Sequence, residues 1–290
     1  MKKLIVITGP TGSGKTSLSI KLAEYLQNAE IISADSRQVY KKMDIGTDKI
    51  KDTKGVPHHL IDIVNPDETF TVANFKKRAR EKIKKIQGKG NVPILCGGTY
   101  FYIQAAVDGL VLPQVPPDWD FRNKKNKESA EELFKELKKK DPRRAGNIDR
   151  HNKRRLVRAL EIIKKTGKPV PRLKKEPLNF PILMLGVKRK EETLKKRIDR
   201  RVDEMVEDGL QEEAREILQK HEKTGMETIG YMEWKDFFEG NKERQEVVRE
   251  IKTHTKQFSK KQKNWFKKED RINWIKDFNE VKEKVEDYIK

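Results

Sequence analysis

Four short apolar runs, residues 4–7, 30–33, 92–96 and 182–187, interrupt a chain otherwise crowded with lysine and glutamate. Each is too short for a buried helix and rich in isoleucine, leucine or valine, so each reads as a strand covered on both faces. The segments between them have a helical period. Leu18, Leu22, Ala23 and Leu26 line one face of 17–27, and a helix is expected over 72–86. Leu133, Phe134 and Leu137 make the apolar face of a charged helix at 128–140, and Leu156, Ala159, Leu160 and Ile163 that of another at 152–165. Three further helices, 191–207, 211–220 and 242–268, fill the basic last third. Strands alternating with helices predict an α/β fold, a parallel sheet flanked by helices. Pro113, Pro116 and Pro117 open a change of composition that Pro169, Pro171, Pro177 and Pro181 close. The expected organisation is therefore a first core segment at 1–113, a small all-helical insertion at 114–180, and core completion with helical, basic C-terminal elements at 181–290.

Charge sharpens this picture. Lysine and arginine outnumber aspartate and glutamate by 66 to 46, a formal net charge of +20. Such an excess fits a polyanionic partner, although a general lysine bias would also raise it. The insertion favours the partner: Arg143, Arg144, Arg150, Arg154, Arg155 and Arg158 cluster there with His151 and Lys153. Arginine is suited to bidentate phosphate contacts and to stacking on bases. Cys96 is the only cysteine, so no internal disulfide forms, and it lies in an apolar run where a thiol serves as a small hydrophobe. The N-terminus leads directly into the first strand, and no apolar stretch approaches a membrane span. A cytoplasmic protein with no membrane association is expected.

Candidate chemistry gathers at the ends of the strands. Gly9, Pro10, Thr11, Gly12, Ser13, Gly14, Lys15 and Thr16 complete the phosphate-loop pattern G-x-x-x-x-G-K-[ST] between a strand and a helix, the context that pattern requires. Its glycines let backbone N–H groups converge on phosphate oxygens at a helix N-terminus; Lys15 adds charge, and the Thr16 hydroxyl is a ligand for Mg²⁺. Asp35 follows the second strand, where open α/β sheets place their crevice, with Ser36, Arg37 and Gln38 as polar readers beside it. An aspartate there can equally be a helix cap or an Asx turn. Gly97 and Gly98 follow the third strand and carry Thr99, either a close approach to substrate or simply a tight turn. Arg197 and Arg201 share a helix face and could clamp a phosphate or pair with nearby acids.

Taken together, GPTGSGKT at 9–16, ISADSRQVYKKMDIGTDK at 32–49, PHHLID at 57–62, CGGTYFYI at 96–103, IGYMEW at 229–234 and THTKQFSKKQKNWF at 253–266 resemble the tRNA dimethylallyltransferases, in order along nearly the whole chain. The resemblance implies a P-loop NTPase-like fold. It also implies transfer of the dimethylallyl group of dimethylallyl diphosphate to N6 of the adenosine immediately 3′ of certain tRNA anticodons. The phosphate loop would then hold the donor's diphosphate, which accounts for the lack of a clear second carboxylate motif of nucleotide hydrolases. By the same resemblance Asp35 is the general base, Thr99 contacts the target nucleotide or the bridging oxygen, and Lys15, Thr16 with Mg²⁺ and Arg201 stabilise the departing diphosphate. Contacts to tRNA would come from Asp35, Ser36, Arg37, Gln38 and Thr99, from Arg122, Arg154, Arg155 and Arg158 in the insertion, and from Thr228, Gly230 and Tyr231. With no zinc-finger spacing after residue 266, the chain resembles the shorter bacterial form, acting as a monomer. A prenyltransferase of free adenine nucleotides and a P-loop nucleotide kinase are the alternative readings.

Overall fold

A computed structural model describes residues 2–290. The strands are β1 (Leu4–Thr8), β2 (Ala29–Ser33), β3 (His58–His59), β4 (Val92–Gly97), β5 (Leu110–Val111), β6 (Lys174–Lys175), β7 (Ile182–Val187) and β8 (Ile272–Ile275). The helices are α1 (Lys15–Leu26), α2 (Val72–Gly88), α3 (Tyr100–Asp108), α4 (Trp119–Lys125), α5 (Ala130–Lys140), α6 (Pro142–Ala145), α7 (Lys153–Thr166), α8 (Glu191–Glu207), α9 (Leu210–Lys220), α10 (Glu222–Met226), α11 (Lys235–Phe238), α12 (Arg244–Phe266) and α13 (Phe278–Ile289). Two compact units result: residues up to Gly109 with Pro177–Lys290, and Leu110–Glu176 between them.

The larger unit is built on a six-stranded sheet in the order β3-β2-β4-β1-β7-β8, every pair parallel. Period-2 alternation sends Leu4 and Val6 to one face, where they pack with Phe75, Ala79 and Ile83 of α2 and Ile103 and Ala106 of α3. Ile5 and Ile7 point to the other face, against Ile20, Leu22 and Ala23 of α1 and Val281 and Val285 of α13. Burial on both faces explains why the central strands read as unbroken apolar runs. The two outer strands were not visible in that pattern, because β3 has only two residues and β8 mixes Asn273 and Trp274 into its sequence. A third cluster joins Val39, Tyr40 and Met43 to Ile198 and Val202 of α8, Leu210, Ala214 and Ile217 of α9, Tyr231, Trp234, and Val247 and Ile251 of α12. The basic C-terminal helices are therefore bolted through their apolar stripes to the segment that follows β2. No described helix is long and apolar enough to cross a membrane.

The smaller unit departs from the all-helical expectation. Besides α4 to α7 it holds an antiparallel ribbon in which Leu110 pairs with Lys175 and Val111 with Lys174. Its boundaries consequently fall a few residues before the expected 114 and 180, since the ribbon, not the prolines, closes the unit. Leu133 and Leu137 of α5 pack on Leu156, Ala159 and Leu160 of α7. Side-chain caps start these helices: Ser129 with Glu132 forms a capping box at α5, and Asn152 caps α7. Glu161 is wholly buried and accepts from Arg122 at 2.7 and 2.8 Å, from Asp118 N–H at 2.7 Å, and from Arg158. Those donors outweigh the penalty of burial and hold its carboxyl below the ordinary range.

In the larger unit, Glu30 at the start of β2 is only 3% exposed and accepts from His59 Nε2 at 2.6 Å, Asn91 at 2.9 Å and Lys89 at 3.0 Å. Burial alone would raise its pKa, yet the hydrogen bonds from His59, Lys89 and Asn91 bring it down to about 2. A depressed carboxyl contributes stability above its unfolded pKa and loses it as pH falls through the folded value. Glu30→Gln is therefore expected to lower the unfolding free energy by about 3 kcal/mol at pH 7, with the difference shrinking as pH drops toward about 2. Urea unfolding of both proteins across that interval measures it; equal stabilities at pH 7 would refute the network's contribution.

Candidate active site

Three loops leave the carboxyl ends of adjacent strands β2, β4 and β1, where a sheet of this type opens its ligand crevice. They are fastened to one another. Ala34 N–H donates to Cys96 O at 2.7 Å, Thr99 N–H to Ala34 O at 3.2 Å, and the Thr8 hydroxyl to Gly97 O at 3.1 Å. A Cβ on Gly97 would lie 2.2 Å from the Ala34 carbonyl oxygen, so no other residue fits there without moving the strands apart.

The loop after β1 closes on itself through Ser13 N–H to Pro10 O at 3.1 Å. Gly9, Gly12 and Gly14 have φ of 155°, 82° and 88°, values that penalise any side chain. Gly14 then caps α1 without a side-chain hydrogen bond, and no acidic residue occupies the first turn, so the positive end of the helix stays open to an anion. The Ser13 hydroxyl is buried and has no hydrogen-bond partner among the described residues. Lys15 lies half-buried beside Gly98. Burial lowers its pKa, with Arg201 adding to the effect and Cys96, Asp35 and Asp48 opposing it. Thr16, on the first turn of α1, is exposed.

The loop that carries Asp35 is tied to Thr99 through Ser36. Asp35 Oδ1 accepts the Arg37 N–H at 2.8 Å, the Asx turn foreseen for it, while Thr99 Oγ1 accepts the Ser36 N–H at 3.1 Å and lies 3.4 Å from the Ser36 hydroxyl. Arg37 reaches away to the Glu227 carbonyl at 2.8 Å. Gln38 is committed at both ends of its amide, accepting from Ser33 at 3.0 Å and donating to Thr47 O at 3.2 Å and Asp48 O at 3.1 Å, so it braces the loop and has no free edge for a base.

Of the α8 pair, Arg197 lies over the phosphate loop, its NH1 3.5 Å from Ser13 O, where Arg189 Nε also points at 3.3 Å. Arg201 is held by Asp48 through NH1 and Oδ2 at 2.7 Å, and its Nε is buried with no hydrogen-bond partner among the described residues. Asp48 lies within the 32–49 motif but has no role of its own in the sequence reading. Its segment is pinned by Glu213 of α9, whose carboxylate accepts the successive N–H groups of Asp44, Ile45 and Gly46, each at 2.9 Å.

Other expected RNA contacts are interior. Tyr231 is fully buried and donates to Glu213 at 2.7 Å, its ring so close to Gly46 that a Cβ there would fall 2.5 Å from it. Thr228 donates to Thr224 O at 2.8 Å, and Gly230 N–H to Glu233 at 2.8 Å. In the smaller unit Arg122 and Arg158 serve Glu161, whereas Arg154 and Arg155 stand exposed on the first turn of α7. Arginine chemistry suggested Arg154, Arg155 and Arg158 as readers of RNA, and the family resemblance added Arg122, Thr228, Gly230 and Tyr231; the carboxylates that claim Arg122 and Tyr231, Glu161 and Glu213, lie 39 and 18 residues away and left no local signal. Gln262 and Ser259 of α12, which touch the phosphate loop, were likewise missed.

A family model described as IPP transferase matches residues 38–269. The chain is 40% identical, over 99% of its length and 96% of the relative's, to the tRNA dimethylallyltransferase of Carboxydothermus hydrogenoformans. It is 42% identical to that of Dictyoglomus turgidum over 94% of the chain and 86% of the relative. Among solved structures, the full-length tRNA isopentenylpyrophosphate transferase from Bacillus halodurans superposes with a TM-score of 0.73 at 37% identity, covering 100% of this chain and 96% of that one. A eukaryotic dimethylallyltransferase acting on tRNA gives 0.76 at 31% identity, over 91% and 70%. With a phosphate loop, a carboxylate and a threonine hydroxyl brought together at the ends of three neighbouring strands, and with matches of this extent, the chain belongs to the IPP transferase family.

Proposed function

We propose that the protein transfers a dimethylallyl group from dimethylallyl diphosphate to N6 of the adenosine 3′-adjacent to the anticodon of tRNA, giving N6-isopentenyladenosine. The observation that carries this reading is the bonding of Thr99 to Ser36, the neighbour of Asp35, beside a loop built to hold a diphosphate. In the reaction the bond between C1 of the allyl group and its bridging oxygen breaks, and its electron pair leaves with the diphosphate. N6 bonds to C1, and the proton lost from N6 passes to Asp35, whose carboxylate compensates for an amine made poorly nucleophilic by the ring. Negative charge grows on the bridging oxygen as the allyl group becomes cationic. The N–H groups of Gly12, Gly14, Lys15 and Thr16, with the Lys15 ammonium and Arg201, meet that charge without reorganising.

The donor set suits Mg²⁺. Among the described residues no cluster of three or more His, Cys, Asp or Glu could cage a metal. Mg²⁺ prefers to keep waters and to bind through substrate phosphates with one or two protein oxygens, and the exposed Thr16 hydroxyl supplies one. When bound, the ion would neutralise the departing diphosphate. Recognition of tRNA rests on Arg154 and Arg155 and on the net charge of +20, with Arg122 tying α4 to Glu161 of α7 and Arg158 tying α7 to the Val115 carbonyl before α4. The protein works as a cytoplasmic monomer in this reading.

Incubation with dimethylallyl diphosphate, Mg²⁺ and unmodified tRNA is expected to give N6-isopentenyladenosine, and AMP in place of tRNA to give little product. ATP turnover with neither product would replace this reading by that of a kinase. Asp35→Ala should slow single-turnover transfer by about 10²- to 10⁴-fold while tRNA affinity changes less than about twofold; a large loss of affinity with normal turnover of bound tRNA would make Asp35 a binding residue. Reversing the charge of Arg154 and Arg155 together should weaken tRNA binding and reduce the slope of log K against log salt by about 2. An unchanged slope would move the tRNA surface elsewhere.

A further inference from the structure

The phosphate loop is gripped from outside by a helix that begins more than two hundred residues later. Gln262 and Ser259 sit three residues apart on the buried side of α12, exposed by only 6% and 4%. Gln262 Oε1 accepts the Thr11 N–H at 2.8 Å, and the Ser259 hydroxyl donates to the Thr11 carbonyl at 3.2 Å, so α12 holds both polar groups of one loop residue. Gln262 Nε2 donates to the Gly98 carbonyl at 2.9 Å. Only one orientation of the amide satisfies a donor on one side and an acceptor on the other, so its assignment is unambiguous. Contact at Gly98 is close: a Cβ there would lie 2.4 Å from Gln262 Nε2 and 3.6 Å from Lys15 Cε.

Thr11 lies between Gly9 and Gly12, both at positive φ, and among the described residues the tip of the loop is tied internally by the hydrogen bond from Ser13 N–H to Pro10 O. Glycine hinges leave such a peptide free to rotate, and a cradle of N–H groups works only when those groups point one way. The far end of the clamp is rigid, since Val247, Ile251 and Phe266 anchor α12 in the core. We infer that Gln262, with Ser259, is a positioning residue: it sets the tip of the phosphate loop and fixes its distance from the Gly98–Thr99 turn, so that the donor diphosphate and the acceptor side of the crevice stay in register. The consequence for transfer rests on the proposed prenyl reaction; the consequence for diphosphate binding does not.

The test compares wild type with Gln262→Met, which keeps shape and removes both hydrogen bonds, and with Ser259→Ala and Ser259→Thr. Affinity for inorganic diphosphate is measured by calorimetry with Mg²⁺ and no RNA, and single-turnover transfer at saturating tRNA and donor. Gln262→Met is expected to weaken diphosphate binding about tenfold and to slow transfer by about 10- to 100-fold, with KM for tRNA within about twofold of wild type. Ser259→Ala should lose about threefold in diphosphate affinity, and Ser259→Thr, which retains the hydroxyl, should restore it. Wild-type affinity and rate in both Gln262→Met and Ser259→Ala, or a lowered melting temperature with both parameters intact well below it, would overturn the inference and leave these residues purely structural. Should wild type bind diphosphate yet prenylate no RNA, the proposed reaction fails while calorimetry still decides the clamp.

Discussion

The crevice depends on how closely the ends of β2 and β4 approach. At Gly97 the absent side chain leaves room for the carbonyl of Ala34, and that contact lets the two strands finish side by side. Asp35 follows Ala34 directly and Thr99 lies two residues beyond Gly97, so the same steric constraint brings the loop that carries the carboxylate to the turn that carries the hydroxyl. The phosphate loop, leaving β1 on the other side of β4, needs no separate alignment because the sheet supplies it. Any side chain at position 97 would separate two of the three loops before it touched a substrate.

The protein uses its own carboxylates to place cations and backbone. Glu213 fills a concavity of three N–H groups and thereby fixes the segment from which Asp48 reaches Arg201. Glu161 does the same for Arg122 and Arg158 in the smaller unit. Glu161 is fully buried and Glu213 partly so, and a carboxylate removed from water is tolerable only when its oxygens are met by donors, as these are. In a chain with such an excess of basic residues, buried acids act as fixed points about which the arginines are ordered.

Much of the fold was legible in the amino-acid sequence because it rests on local signals. Unbroken apolar runs marked β1, β2, β4 and β7, and helical periodicity marked α1, α2, α5, α7, α8, α9 and α12 within a few residues. β3 and β8 escaped since a two-residue strand and an edge strand carrying Asn273 have no period to detect. The glycines and Lys15 of the phosphate loop could be read directly, for their geometry is encoded by the residues themselves. Residue type points to Gln38 and the family resemblance to Tyr231 as RNA contacts, yet what occupies them is Ser33, Thr47 and Asp48 in one case and Glu213 in the other. A pairing of that kind is decided by which elements pack together, and the spacing of residues along one element does not contain it.

The grip of α12 on Thr11 joins two segments that leave a ribosome 251 residues apart. A nascent chain can form β1, α1 and the loop between them, but it lacks the two side chains that hold the loop's tip until residue 262 has emerged. The central strand waits as well, because β7 flanks it on one side and Tyr288, near the end of α13, bonds to both Leu4 and Pro181. Native order at the diphosphate site therefore arrives late, with long-range contacts that a truncated chain cannot make. Fragments released early carry the most recognisable motif of the sequence and lack the support that orders it.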